Sequence, residues 1–310
     1  MTNKRFLAIL AMVFTTMVWG VTFEMVQEAL NDAPPFIFGA FRFGIGFFIC
    51  FFYFLFFDFD KINIPISISE IKGGVMCGIV LCIGYAFQNF GLWDNIYYLK
   101  STPSNSAFIT SISVLLVPAF LYLFNIQKIH YRLWGIIIIA LLGLFILLDP
   151  LYLFNSKSVS SQGISGGDII TFGCAVSFAI HIILQDIYLK KGADLFRFFM
   201  LQVLFVSLFS FVCSFIASEE TIIFSYDVIL ALLVTGVIAT SIAFILMLWA
   251  QTILSATETG VLLSLEPLFA AIYSVYIGKM LGFNGWLGGL IIIIAVISSS
   301  FLSTKHSENH

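Results

Sequence analysis

Polar side chains able to do chemistry are scarce in this chain, and several fall where water is hard to reach. Glu266 and Pro267 stand side by side in VLLSLEPLFA, residues 261–270. Arg42 lies two turns inside another apolar run, and Glu24 lies near the end of the run before it. His181 and Gln185 are four residues apart and share one face of a helix. Gln88 and Asn89 are adjacent, so one of them points fully inward. A carboxylate can hold an ammonium group or a proton, and a guanidinium can hold a carboxylate. Imidazole titrates near neutral pH, and the rings of Trp19 and Trp249 can stack on a solute or close a passage. This is the chemistry of holding a small molecule. No nucleophile–base set, HExxH, phosphate loop or strand-borne GxGxxG accompanies these residues. Five cysteines sit in apolar runs without a CxxC pair, so neither a disulfide framework nor a metal site is expected. No catalytic group and no cofactor is indicated.

The elements that must position these groups follow from composition. Of 310 residues, 60% are hydrophobic, 17% aromatic and 10% charged, against roughly a quarter charged in soluble domains. So little charge cannot cover a water-soluble core, and the outer surface must face lipid. Runs of about 20 apolar residues, the length of a spanning helix, recur ten times: 6–27, 35–57, 71–93, 104–124, 131–149, 168–189, 195–216, 228–250, 258–278 and 284–303. They are too long and too continuously apolar for barrel strands. Lys4 and Arg5 precede the first run, which is longer than a signal core and lacks a small-residue cleavage site; it is a span. With the N-terminus inside, the inner face receives Lys4, Arg5, Lys61, Lys72, Lys128, Arg132, Lys190, Lys191, Arg197 and Lys305, and the outer face Lys100, Lys157 and Lys279. That bias predicts both termini in the cytoplasm and a place in the inner (plasma) membrane. Nothing basic enough for nucleic acid is present.

The chain also repeats itself. SVLLVPAFLYL around Pro118 is similar to LLSLEPLFAAI around Pro267, and each is followed by a short polar connector and a closing span carrying Trp134-Gly135 or Gly285-Trp286. Residues 1–150 and 151–310 therefore read as two copies of a five-span unit. Five is odd, so the second copy runs inverted, a transporter architecture whose site lies between the halves near the midplane.

VWGVTF (Val18 to Phe23), PPFIFGAFRF (Pro34 to Phe43), YAFQNFGL (Tyr85 to Leu92), SNSAFITSISVLLVP (Ser104 to Pro118), GGDIITFGCAVSFAIHII (Gly166 to Ile183) and above all ATSIAFILMLWAQTILSATETGVLLSLEPLFAA (Ala239 to Ala271) carry a resemblance to the EamA family of the drug/metabolite transporter superfamily. The resemblance implies an all-α membrane protein of ten helices in two inverted five-helix repeats. It also implies a central cavity lined mainly by spans 1, 3, 4, 6, 8 and 9, and movement of amino acids or other small metabolites, typically as export. Three departures stand out: a longer link between Leu92 and Ser104, Gly278-Lys279 where relatives often carry glycine–glutamate, and Glu24 where many carry an apolar residue.

Each buried polar group then has an expected role. An ionised side chain at the bilayer centre costs about 2.5–3.5 kcal/mol even on lenient scales. Glu266 lies about nine residues into its span, roughly 13 Å deep, and is expected in the cavity, holding an amine or a proton; the other reading is a tie to a neighbouring helix. Pro267 frees a carbonyl one turn earlier, and Gly20 permits close helix approach beside Trp19. Arg42 and Glu24 are expected to pair, the alternative being contact with a substrate carboxylate from the outer mouth. His181 is read equally as a proton site or a buried structural histidine, with Gln185 beside it. Gln88 is expected inward together with Tyr85, and Gln251 in water. Substrate or ion binding is thus expected at Glu266, Trp19, Gln88, His181, Gln185, Trp249, Tyr85 and Glu24, and structural or gating roles at Pro267, Pro118, Arg42 and Gly20. Glycines 282, 285, 288 and 289 suit close packing, including contact with a second copy. Partners are then a small-molecule substrate and the lipid bilayer. Proton coupling would rest on Glu266, Glu24 and His181; the rival function is a flippase for lipid-linked substrates.

Overall fold

The computed structural model describes residues 3–57, 65–94, 100–148, 165–278 and 282–307. Ten helices fill them: α1 (Asn3–Ala29), α2 (Pro35–Phe57), α3 (Ile68–Leu92), α4 (Pro103–Leu123), α5 (Tyr131–Leu148), α6 (Gly166–Lys190), α7 (Leu195–Ile216), α8 (Tyr226–Gln251), α9 (Ala256–Tyr276) and α10 (Phe283–Ser307). The expected spans lie within a few residues of these limits. Eight are long and apolar enough to cross a membrane by themselves, and α5 and α10 supply shorter apolar stretches over residues 131–147 and 283–299. Part of the link at residues 95–99, much of the inter-repeat connector, and Lys279 fall outside the described residues.

The helices start where polar side chains take up the free N–H groups of the first turn. Ser67 with Glu70, Ser165 with Asp168 and Ser255 with Glu258 form three capping boxes, at α3, α6 and α9. Two helices are interrupted. α4 breaks at Ile112, between Pro103–Ser111 and Ser113–Leu123. α9 breaks between Ala256–Leu263 and Glu266–Tyr276, with Pro267 in the first turn of the second piece. Proline has no N–H to donate backwards and suits a helix start, so the break falls immediately before Glu266.

The packing obeys a two-fold rule. Exchange α1 to α5 with α6 to α10, and the contact α3–α6 becomes α8–α1, α1–α9 becomes α6–α4, and α2–α8 becomes α7–α3; α2–α7, α5–α10 and α4–α9 map onto themselves, and all of these contacts are made. Every residue of the first piece of α9 is buried, which places this helix at the centre. At the periphery, Gly288 of α10 packs on Gly143 and Leu147 of α5 so closely that no Cβ would fit. That small surface is used inside the chain.

Candidate functional site

Trp19, Thr22, Phe23 and Val26 of α1, Arg42 of α2, Tyr85, Gln88 and Leu92 of α3, Phe178 of α6 and Glu266 of α9 line one central recess. Its making is local. A Cβ on Gly20 would lie 2.6 Å from the carbonyl oxygen of Glu266 and 2.8 Å from the amide of Ala270. Only glycine lets α1 lie against the break in α9, and that contact sets Trp19 next to Glu266.

α8 contributes through an irregularity. Residues Val234–Ile242 wind as a π-helix, a rare form that is frequent at functional sites. The carbonyl of Ala239 accepts from Trp19 Nε1 at 2.8 Å and that of Ala243 from Thr15 Oγ1 at 3.1 Å. Thr240, in the same stretch, accepts from Arg42 Nε at 3.0 Å. Arg42 Nη2 also donates to Tyr85 Oη at 3.2 Å, with the guanidinium carbon 4.4 Å from the Tyr85 ring centroid. Tyr85 is itself packed edge-on against Phe43 and Phe178.

The expected Arg42–Glu24 pair is replaced by this arrangement. The face of α2 that carries Arg42 turns towards α3 and α8, where a ring and a hydroxyl receive the guanidinium. Glu24 lines a separate recess of about 250 Å³ with Glu28, Asp227 and Tyr273, and accepts from Ser274 Oγ at 3.4 Å. Arg42 and Glu266 both face the central recess, and neither a hydrogen bond nor an ion pair joins them among the described residues.

A second recess adjoins the first and shares Trp19 and Phe178 with it; Leu81, His181, Ile182, Phe244, Met247 and Leu263 complete its wall. His181 Nε2 lies 2.9 Å from Gln202 Oε1, and Gln185 Nε2 donates to the same oxygen at 3.1 Å. Gln185 and Trp249 therefore lie outside both linings, Gln185 in a polar cluster and Trp249 half-buried against the core. Asn89 turns away and donates to the Pro35 carbonyl at 3.2 Å, leaving Gln88 in the recess. Gln251, expected in water, is 2% exposed and reaches only the Ile182 carbonyl, at 3.5 Å. Pro118 is buried in the second piece of α4. Thr240 and Gln202 were not legible as site residues. Nothing marks a π register in an apolar sequence, and Gln202 shows its place only once α7 is packed on α6.

The central recess and the one adjoining it each have a free volume of about 20 Å³, room for one water molecule and far below the roughly 300 Å³ or more of a small-molecule pocket. The chain is closed around its polar centre. What lies there is one carboxyl, one guanidinium and an aromatic wall, a set suited to holding a small molecule.

Comparison with known proteins agrees with this architecture. The chain is 29% identical over 296 residues to a protein of Archaeoglobus fulgidus described as an uncharacterized transporter, covering 95% of this chain and 86% of that one. It is 22% identical over 307 residues to the uncharacterized transporter YoaV of Bacillus subtilis, covering 96% and 97%. A solved protein structure superposes with a TM-score of 0.73 at 16% identity, over 96% of this chain and 98% of the other, which is a likeness of fold. The model of the EamA-like transporter family matches residues 6–149 and again 165–301, once for each five-helix unit. The ten-helix membrane protein with two inverted repeats belongs to the EamA-like transporter family.

Proposed function

We propose that this transporter is a secondary carrier for a small zwitterionic metabolite of the amino-acid type, exported by alternating access through the central recess. The observation that carries the reading is that Arg42 and Glu266 face the same recess with no hydrogen bond or ion pair between them among the described residues. An arginine forked between Thr240 and Tyr85 keeps donors for a carboxylate. Glu266, at the start of the second piece of α9, is matched to an ammonium group or, between substrates, to a proton. Trp19, Tyr85 and Phe178 supply a ring-lined wall. The lysine and arginine bias supports placement in the plasma membrane with both termini in the cytoplasm.

A thermal-shift panel of the purified protein tests the reading, because a ligand that binds the folded state alone raises its stability. Amino acids are expected to stabilise it, while the matching amines without a carboxylate and acids without an amine are not. Equal stabilisation by the amines would overturn the zwitterion reading. For the amino acid that scores, Glu266→Gln is expected to lower flux into proteoliposomes by about tenfold or more, the loss of one charge-assisted contact, with insertion and melting temperature retained.

A further inference from the structure

The closed recess raises the question of what closes it. At the end of the bundle that carries the N-terminus, Arg5 in the first turn of α1 donates through Nη2 to Oε1 of Glu258 in the first turn of α9, and both side chains are at least nine-tenths buried. The other oxygen of Glu258 is occupied at home, accepting from the amide and hydroxyl of Ser255 in its capping box. At the opposite end, Ser101, in the link before α4, donates through its hydroxyl to Oδ1 of Asp168 in the first turn of α6, at 2.6 Å. The other oxygen of Asp168 accepts from the Ser165 amide in its own capping box. The two-fold exchange turns the pair α1–α9 into the pair α6–α4. A capping-box carboxylate with its free oxygen reaching across to the facing element thus stands at both ends, with carboxylate and donor changing places under the exchange: the carboxylate is on α9 at one end and on α6, the counterpart of α1, at the other.

A second observation points the same way. In the half of the bundle that carries the Arg5–Glu258 pair, polar atoms are buried without partners: Arg5 Nε, Thr257 Oγ1, Gln251 Oε1, Gln185 Oε1 and Gln202 Nε2. At the other end Ser106 Oγ and Asn89 Oδ1 are likewise unpaired. A buried polar atom without a partner costs about 1–3 kcal/mol, a cost that water reaching these seven atoms in another conformation would relieve.

We propose that Arg5–Glu258 and Ser101–Asp168 are the two latches of the transport pathway, joining helix pairs that the inverted repeat relates and both shut in this structure. Opening one hydrates Thr257, Gln251, Gln185 and Gln202; opening the other hydrates Ser106 and Asn89. The long link between α3 and α4 acquires a role, since it delivers Ser101. This inference rests on the alternating-access reading given above.

Thiol accessibility tests it without a substrate. Thr257→Cys reports on one end and Ser106→Cys on the other, each in the full chain with Cys213→Ser, the remaining cysteines being buried. A membrane-impermeant methanethiosulfonate is applied to both faces of proteoliposomes, and labelling rates are read. Removing only Glu258 would strand a buried charge, so the pair is neutralised together as Arg5→Gln with Glu258→Gln, which keeps the capping box. Labelling at the Thr257→Cys thiol is expected to rise about tenfold or more, as from loss of one charge-assisted hydrogen bond, while the Ser106→Cys thiol is unaffected. Ser101→Ala is expected to do the reverse, and Arg5→Lys to behave as the parent. Unchanged rates in both latch variants, or both reporters rising together in either, would overturn the proposal. Amino-acid flux in the same vesicles reports separately on the carrier reading.

Discussion

Arg42 shows how much a single side chain depends on its frame. In the sequence it is a cation in an apolar run with Glu24 at similar depth, and pairing is the economical expectation. In the folded chain it bonds to Thr240 and Tyr85 instead, because the π stretch of α8 brings a hydroxyl to its Nε and α3 brings a ring beneath its plane. Lysine offers a point charge without the planar fork. Arg42→Lys is therefore expected to raise the KM for a carboxylate-bearing substrate about tenfold, the loss of one hydrogen bond to a charged group. Melting temperature should fall as well, because Thr240 and Tyr85 lose the forked donor, and a flux titration beside a thermal melt reads the two effects separately. Glu266, Trp19, Tyr85 and Gln88 could all be named from the sequence, since each is polar or aromatic at a depth where lipid would exclude it or beside a motif residue. Gln202 and Thr240 could not, since their meaning lies in what packs against them.

At the scale of elements, local chemistry sets the breaks and close approaches. Pro267 ends one helical piece and starts another, leaving Glu266 at a mid-span helix start. Gly20 brings α1 to within van der Waals contact of that break. Gly20→Ala would drive a methyl into the backbone of Glu266 and Ala270, and overpacking of this kind costs about 1–3 kcal/mol. A lower melting temperature together with reduced flux is expected, because the same displacement moves Trp19 and Glu266. A variant that melts normally and transports normally would show that α1 can be shifted without disturbing the site. Proline and glycine were legible as punctuation; the π turn was not, because i→i+5 hydrogen bonding leaves no compositional trace.

For the whole molecule, the inverted repeat joins sequence to cycle. Contacts that map onto each other under exchange of the two halves make the two ends of the bundle alike in construction, the arrangement on which the proposed alternation between two faces rests. If Glu266 exchanges a proton for a substrate ammonium, an imposed pH gradient should drive accumulation in proteoliposomes loaded with wild-type protein, and Glu266→Gln should abolish the drive. Flux indifferent to the gradient would mark a facilitator without proton coupling.

By itself the sequence determined the membrane, the ten spans and the repeat, and it named Glu266, Trp19, Tyr85 and Gln88 among the residues that meet at the centre, because hydropathy and helix punctuation are local and lipid enforces them. Tertiary structure alone decided which charges pair. Arg5 read as an inner-face cation, and Glu258, some 253 residues away along the chain, carried no signal of its own. Pairings at such separation depend on which helix faces meet after packing, and that is information a linear pattern of apolar and polar residues does not hold.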